Sequence, residues 1–289
     1  MNEAQREYAN DYVEFWNDTL AWKFERFREI LMNGLSYHSE KPLDELALPK
    51  GTRILDVGCG WGDTAIRLAR MTGPKGYVLG VDCVDQFLEK ARKDAAAAGL
   101  ANVEFVATDV ETHPFSDDFE FCFSRFGMMF FNNPVAAMRN IQRALKPGGK
   151  LMFIVWRRRE DNPWVNVPRD VVLQFLPEPG EDARTCGPGP FSMADPDTVT
   201  RQLEIAGFSN IEFDRTDGPV TVGESTANAI DFQLAIGPAG EIFREAGEEA
   251  EARRGEIEEA LSSVLADYLS DGKVVMPSSS WVVTADRPD

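Results

Sequence analysis

Between residues 52 and 155, short apolar runs alternate with helix-patterned stretches, and this alternation limits the folds open to the chain. TRILDVG, GYVLGVD, NVEFVATD, FEFCFSRF and KLMFIVW read as five strands. DTAIRLARMT, VDQFLEKARKDAAAAG and NPVAAMRNIQRAL read as the helices between them, the second ended by Gly99. Asn133 is placed to cap the third helix, with Pro134 in its first turn. LKPGG reads as a turn. Strands that alternate with helices pair in parallel, and the helices cover both faces of the sheet. The expected class is therefore α/β, a doubly wound and mostly parallel sheet.

Outside this region the pattern changes. Residues 1–44 read as a helical N-terminal arm with many aromatic side chains: Tyr8, Tyr12, Phe15, Trp16, Trp22, Phe24 and Phe27. Such an arm either packs on the core or lies as a lid over an apolar substrate, and the two are compatible. Residues 45–289 read as the main domain. Within it, about 157–195 is rich in Pro and Gly and reads as a loop-rich insertion, while 224–271 is mostly helical. Both are expected to build a cap over the substrate. DPDTVTRQLEIAGF, NIEFDRT and SSSWVVTAD resume the core as a helix and two strands.

Composition excludes several classes. The net charge of −18 sets the chain against phosphate backbones, so no nucleic-acid partner is expected. The one basic cluster, Arg157, Arg158 and Arg159, reads as a solvated strand end or as a grip on an anionic group. No run of eighteen apolar residues is present, and the N-terminus lacks a signal-peptide pattern, so no membrane span and a cytoplasmic location are expected. The four cysteines, at 59, 83, 122 and 186, form no CxxC pair, and two histidines cannot build a metal site. Only Cys186 falls in a loop that could face an acceptor, which disfavours thiol-based arsenic methylation. Oligomeric state is not legible.

The chemistry is concentrated at the strand ends. ILDVGCGWGDTA, at 54–65, runs from a strand through Gly58, Cys59, Gly60, Trp61 and Gly62 into a helix. Glycines allow a tight turn and close approach of a ligand to the backbone. The helix N-terminus offers unpaired N–H groups to an anion. Gly60, Gly62 and Ala65 also satisfy the GxGxxA dehydrogenase fingerprint, so the glycines alone are ambiguous. Asp56, two residues before the first glycine, separates the readings. It is awkward beside a pyrophosphate but suits an ammonium, such as the methionine amine of S-adenosyl-L-methionine (SAM). Asp82, followed by Cys83, ends the second strand, where an acid can accept both ribose hydroxyls; capping the next helix is its plainer role. Asp109 ends the third strand and can take an adenine amine, with Val110 supplying an N–H and an apolar face. Ser124 follows at the fourth strand end, touching the cofactor. Arg125, Phe126, Met128 and Met129 then wall the methyl-transfer site or belong to the core.

On these residues the sequence resembles the class I SAM-dependent methyltransferases, and within them the ubiquinone/menaquinone-biosynthesis-type branch that acts on small molecules. ILDVGCGWG matches the family's first motif, GVD its ribose acid, ATD its adenine acid and LKPGGKLMFIVW its fifth-strand region. The resemblance covers about residues 45–156 and implies seven strands in the order 3-2-1-4-5-7-6, strand 7 antiparallel. It implies SAM as methyl donor and S-adenosyl-L-homocysteine (SAH) as product, and leaves the acceptor open. Helical 224–271 departs from the family, where many members have a tight hairpin. The expected reaction is in-line transfer of a methyl group to a small apolar or aromatic acceptor. A catalytically inactive binding module and an NAD(P)-dependent oxidoreductase are the alternatives. No catalytic residue is firmly indicated. His38, where a lid would meet the core, is a candidate base, and His113 a lesser one. Trp22, Arg125, Phe126 and Met129 are the candidate substrate contacts.

Overall fold

A computed structural model describes residues 13–116, 118–180 and 187–289; Tyr8, Tyr12 and Cys186 lie outside them. Eight strands form one sheet: β1 Arg53–Val57, β2 Tyr77–Asp82, β3 Val103–Ala107, β4 Phe119–Arg125, β5 Leu145–Trp156, β6 Ser209–Gly223, β7 Leu269–Ser270 and β8 Lys273–Asp286. Their order is β3-β2-β1-β4-β5-β8-β6. The first five are parallel to one another, and β8 runs antiparallel to both β5 and β6. This is the order expected from the resemblance, with β8 in the place of strand 7. The two-residue β7 is an addition, turned onto β8 through Asp271 and Gly272, both at positive φ.

Burial explains the centre of the sheet. Ile54, Leu55 and Val57 of β1 are inaccessible, and so is Asp56 between them. A strand covered on both faces needs apolar residues at successive positions, so an acid there stands out. The covering helices are α1 Ala21–Arg26, α2 Arg28–Glu45, α3 Asp63–Thr72, α4 Asp85–Ala97 and α5 Pro134–Ala144, the last starting where its signals stand. Asn133 Oδ1 accepts from the Ala136 N–H at 3.0 Å, and Pro134 fills the first turn of α5.

Three stretches depart from expectation. The strand β5 takes in LKPGG, because Leu145 pairs with Phe119 across a register shift before the regular ladder begins at Lys150. β6 and β8 are longer than NIEFDRT and SSSWVVTAD, since each supplies the other with partners from Ser209↔Asp286 to Gly223↔Val274. The long ribbon also seats α2: a Cβ on Gly34 would lie 2.9 Å from Val220 Cγ1.

The third departure is α6, Pro163–Val172, inside the stretch read as a loop. Pro163 sits in the first turn, where its missing N–H costs nothing. Pro168 lies inside the helix and cannot donate to the Trp164 carbonyl. The Gln233 amide donates to that oxygen instead, at 2.8 Å. Gln233 belongs to α8, Thr226–Ala235, which begins a helical run continuing through α9 Gly237–Ala246, α10 Glu248–Ala252 and α11 Arg254–Leu265. An inserted helix thus completes the hydrogen bonding of a proline-broken one. α7, Pro196–Ala206, is capped by Asp195 and closed by Gly207 at positive φ. Among the described residues no helix is long and apolar enough to cross a membrane, and no three His, Cys, Asp or Glu side chains are grouped to hold a metal.

Candidate active site

A cavity of about 270 Å³ opens at the carboxyl ends of the parallel strands, where open α/β sheets bind ligands. One end is the glycine loop, with Gly58, Cys59, Gly60 and Trp61 joined by Asp82, Cys83, Asp109 and Val110. The lining is otherwise strongly aromatic, with Phe15, Trp16, Phe24, Trp156, Trp164 and Phe191.

The loop's backbone explains its glycines. Gly60 and Gly62 have φ of +52° and +79°, which side chains rarely adopt. A Cβ on Gly62 would lie 2.7 Å from the Ala91 methyl and 2.8 Å from the Phe105 ring, so this residue is needed for packing. A Cβ on Gly60 would meet nothing within 4 Å. The backbone at Gly60 therefore borders open space at the cavity.

Asp82 holds the loop in place. Its Oδ2 accepts from the Gly60 N–H at 2.9 Å and its Oδ1 from the Val84 N–H at 3.0 Å. Burial pushes its carboxyl above the ordinary value, and these backbone donors oppose the shift. Asp109 likewise shapes its own turn, accepting from the Glu111 N–H at 2.9 Å and from the Thr112 hydroxyl. The Asn140 amide clamps the same turn through the Val110 and His113 carbonyls, each at 2.7 Å.

Beneath the loop lies a buried polar spot. Asp56 does not line the cavity; it sits under its floor. Its Oδ2 accepts from the Thr64 hydroxyl at 2.6 Å, and its Oδ1 has no hydrogen-bond donor. Burial raises its carboxyl from the ordinary 3.8 to about 7, with the Thr64 bond opposing and Asp63 reinforcing the shift. Ser124, on the neighbouring strand β4, also has a buried Oγ without a partner. Buried polar atoms are seldom left so, and each orphan costs about 1–3 kcal/mol. A carboxylate oxygen lacking a donor, next to a glycine cradle with open space, fits the ammonium and backbone-bound portions of SAM.

The expected substrate residues divide. Phe126, Met129 and Arg125 line the cavity. Phe126 has φ +57°, an unusual strain for an aromatic residue, and its ring stacks on Trp156 at 4.0 Å. Arg125 is not free for an anion: it grips both Asp63 oxygens, at 2.9 and 2.7 Å. Met128 belongs to the core. Trp22 does not reach the cavity; it is 54% exposed on an outer groove. Arg157 packs on the Trp281 ring and pairs with Asp161 at 3.2 Å, away from the cavity.

His38, on α2, does not line the cavity; it is sealed against β8 behind the cavity-lining rings of Phe126 and Trp156, with centroids 5.8 and 5.0 Å away. Its Nε2 lies 2.8 Å from the Ser278 Oγ, and its Nδ1 2.8 Å from the Ser280 Oγ. The Ser278 hydroxyl donates its proton to the Gly218 carbonyl, so it must accept from Nε2–H. Ser280 then donates to Nδ1. Both ring nitrogens of the neutral imidazole are spent, and burial holds its pKa down to about 4. His113 bonds to the Thr108 hydroxyl and packs on Phe115.

Two polar contacts fasten the arm over the loop end. The Glu25 Oε2 accepts from Trp61 Nε1 at 2.7 Å, and the Asn17 amide donates to the Cys83 carbonyl at 3.1 Å. The sequence shows an aromatic arm but not these partners. Trp156 closes the apolar run KLMFIVW, whereas Trp164 and Phe191 stand in a stretch rich in Pro and Gly that offers little pattern.

Residues 48–172 match the family model described as a methyltransferase domain. The chain is 28% identical over 215 residues to the ubiquinone/menaquinone biosynthesis C-methyltransferase UbiE of Pseudomonas putida KT2440, covering 71% of this chain and 84% of that protein. The UbiE protein of Klebsiella pneumoniae is 25% identical over 218 residues, 72% and 87% of the two chains. Among solved structures, the YcgJ protein of Bacillus subtilis shares the fold with a TM-score of 0.56 at 17% identity, covering 86% and 97%. Phosphoethanolamine N-methyltransferase 2 of Haemonchus contortus, solved with S-adenosyl-L-methionine, gives a TM-score of 0.53 at 18% identity, covering 96% and 60%. The family match spans the glycine loop itself and so decides between the two fingerprints that loop satisfies. Strand order, glycine loop and relatives agree: residues 48–172 match a methyltransferase domain, and the chain is similar to the class I SAM-dependent methyltransferases of the ubiquinone/menaquinone-biosynthesis type.

Proposed function

We propose that the enzyme methylates a small apolar or aromatic acceptor held in the aromatic end of the cavity. One observation carries this reading: a single cavity runs from the glycine loop into a chamber of aromatic rings. In this reading Gly58–Gly62 cradle the methionine portion of the donor, with Ser124 beside it, and Asp56 supplies the buried negative charge beneath its ammonium. Asp82 and Cys83 face the ribose, Asp109 and Val110 the adenine. The arm, residues 187–195 and the helices of 224–271 form the cap.

SAM supplies an already activated methyl group, so the chain's task is alignment and exclusion of water. Phe126, strained and braced by Trp156, forms a rigid wall for the acceptor, and Met129 adds to it. Ser192 ties the neighbouring loop to the Met129 carbonyl at 2.6 Å. His38 has no free nitrogen with which to take a proton, so a general base is not assigned to it.

Calorimetric titration with SAM, SAH and NAD(H) tests the donor placement. SAM and SAH should bind and NAD(H) should not; silence toward both SAM-type ligands in folded protein would sink it. Transfer of labelled methyl to phenolic, quinol-like and amine compounds then tests the acceptor. Transfer only to small hydrophilic amines would refute the aromatic reading.

A further inference from the structure

We propose that the acceptor carries an anionic group, which Lys23 receives at the mouth of the cavity while the apolar part lies among the aromatic rings. This deepens the acceptor reading above and rests on it. Lys23 lines both the inner cavity and an outer groove that also holds Trp22, Leu234 and Phe243. The two spaces share Lys23, Ala235 and Arg244, so Lys23 stands at the doorway between them.

Each arginine along this passage is paired with a carboxylate. Arg125 is paired with Asp63 at 2.7 Å and Arg26 with Asp231 at 2.9 Å. Arg244 reaches Glu245 at 2.8 Å and Glu241 at 4.0 Å, and Arg254 reaches Glu251 at 2.7 Å. Among the described residues no carboxylate lies within ion-pair distance of Lys23; its recorded contact is the Trp22 ring, 5.7 Å away.

A half-buried ammonium without a counter-ion is costly. Burial, and then the nearby Arg244 charge, hold Lys23 below its ordinary range, which an arriving anion would reverse. Glu241 lines the same wall but faces Arg244, and burial raises its carboxyl, which weakens its opposition to an incoming anion. With 48 acidic against 30 basic residues, the chain repels anions at long range. Selection for an anionic acceptor must then be local, at a desolvated cation placed where the acceptor enters.

The test uses 2-naphthoate and its neutral counterpart 2-naphthamide, titrated by tryptophan quenching into protein saturated with SAH. Wild type should bind 2-naphthoate at least about tenfold more tightly, the scale of a charge-assisted hydrogen bond. Lys23→Gln should abolish that preference while leaving 2-naphthamide and SAH affinities within about twofold, and Lys23→Arg should restore most of it. A wild-type preference below about twofold, or one that survives Lys23→Gln, overturns the proposal. The SAH titration reports separately on the donor site, so SAH binding without anion preference refutes this inference alone.

Discussion

Asp56→Asn separates what the buried acid costs the fold from what it does for the ligand. In wild type the carboxyl titrates near 7 in the folded chain and at 3.8 in an ordinary setting. Between these values the folded state holds a proton that the unfolded state has released, so stability falls as pH rises through this window. The full penalty approaches about 4 kcal/mol above pH 8 and is about 2 kcal/mol smaller at pH 5.5, at 1.36 kcal/mol per pKa unit. Asparagine carries no titrating group and keeps an oxygen for the Thr64 hydroxyl. Its amide hydrogens, unmet in the absence of ligand, cost about 1–3 kcal/mol. The variant should therefore be about 1–3 kcal/mol more stable than wild type at pH 8. That advantage should shrink by about 2 kcal/mol at pH 5.5. Urea unfolding of both proteins at the two pH values, without SAH, measures this. His38 also titrates in acid, but it is common to both proteins and cancels in the difference. A stability difference that does not change with pH would refute the reasoning. SAH affinity should drop about 10- to 100-fold in the same variant, the worth of one charged hydrogen bond.

Gly60→Ala places a methyl group in open space at a left-handed backbone position, so it should cost about 1 kcal/mol of stability while weakening SAM binding by more than tenfold; paired melting and calorimetry check it, and unchanged affinity would remove the cradle role. Gln233→Leu orphans the Trp164 carbonyl inside α6 and should cost about 1–3 kcal/mol in urea unfolding, with SAH affinity unchanged. His38→Asn should lose about 2–3 kcal/mol while keeping turnover of folded protein within about threefold, because two buried serine bonds are disturbed and no reacting atom is; loss of turnover with its stability intact would restore His38 as a base. For wild type, burial of neutral His38 contributes stability that is whole above about pH 6.5 and is lost as pH falls toward 4.

What could be read from sequence was local in sequence. The glycine loop, Asp82 twenty residues beyond it and the Asn133 cap each act on neighbours a few positions away or on the next strand. Strand–helix alternation points to a parallel sheet, and its strand order comes from the resemblance alone. The aromatic end was not legible, because its walls come from the arm, β5, α6, the 187–195 loop and the inserted helices. His38 looked available because its two serine partners stand 240 and 242 positions away. α6 looked like a loop because Pro168 argues against a helix, and only the distant Gln233 answers the carbonyl it strands.

The place of β8 bears on the order in which these parts assemble. Residues 273–286 fill the gap between β5 and β6, and Lys150 finds its partner in Asp286, far along the chain. Nearby segments meet early in folding, whereas contacts between distant ones wait for a large loss of chain entropy. The glycine loop and Asp82 need only β1, β2 and the turn between them. Trp156 is at the end of β5 and pairs with Ser280, and the His38 seal needs Ser278 and Ser280, so the aromatic chamber waits for the strand that arrives from farthest away. A chain stopped before residue 273 would retain the loop's local sequence and lose the strand that joins β6 to the rest of its sheet. In pulse-labelled refolding, amides of β1 and β2 should gain protection before those of β5 and β8.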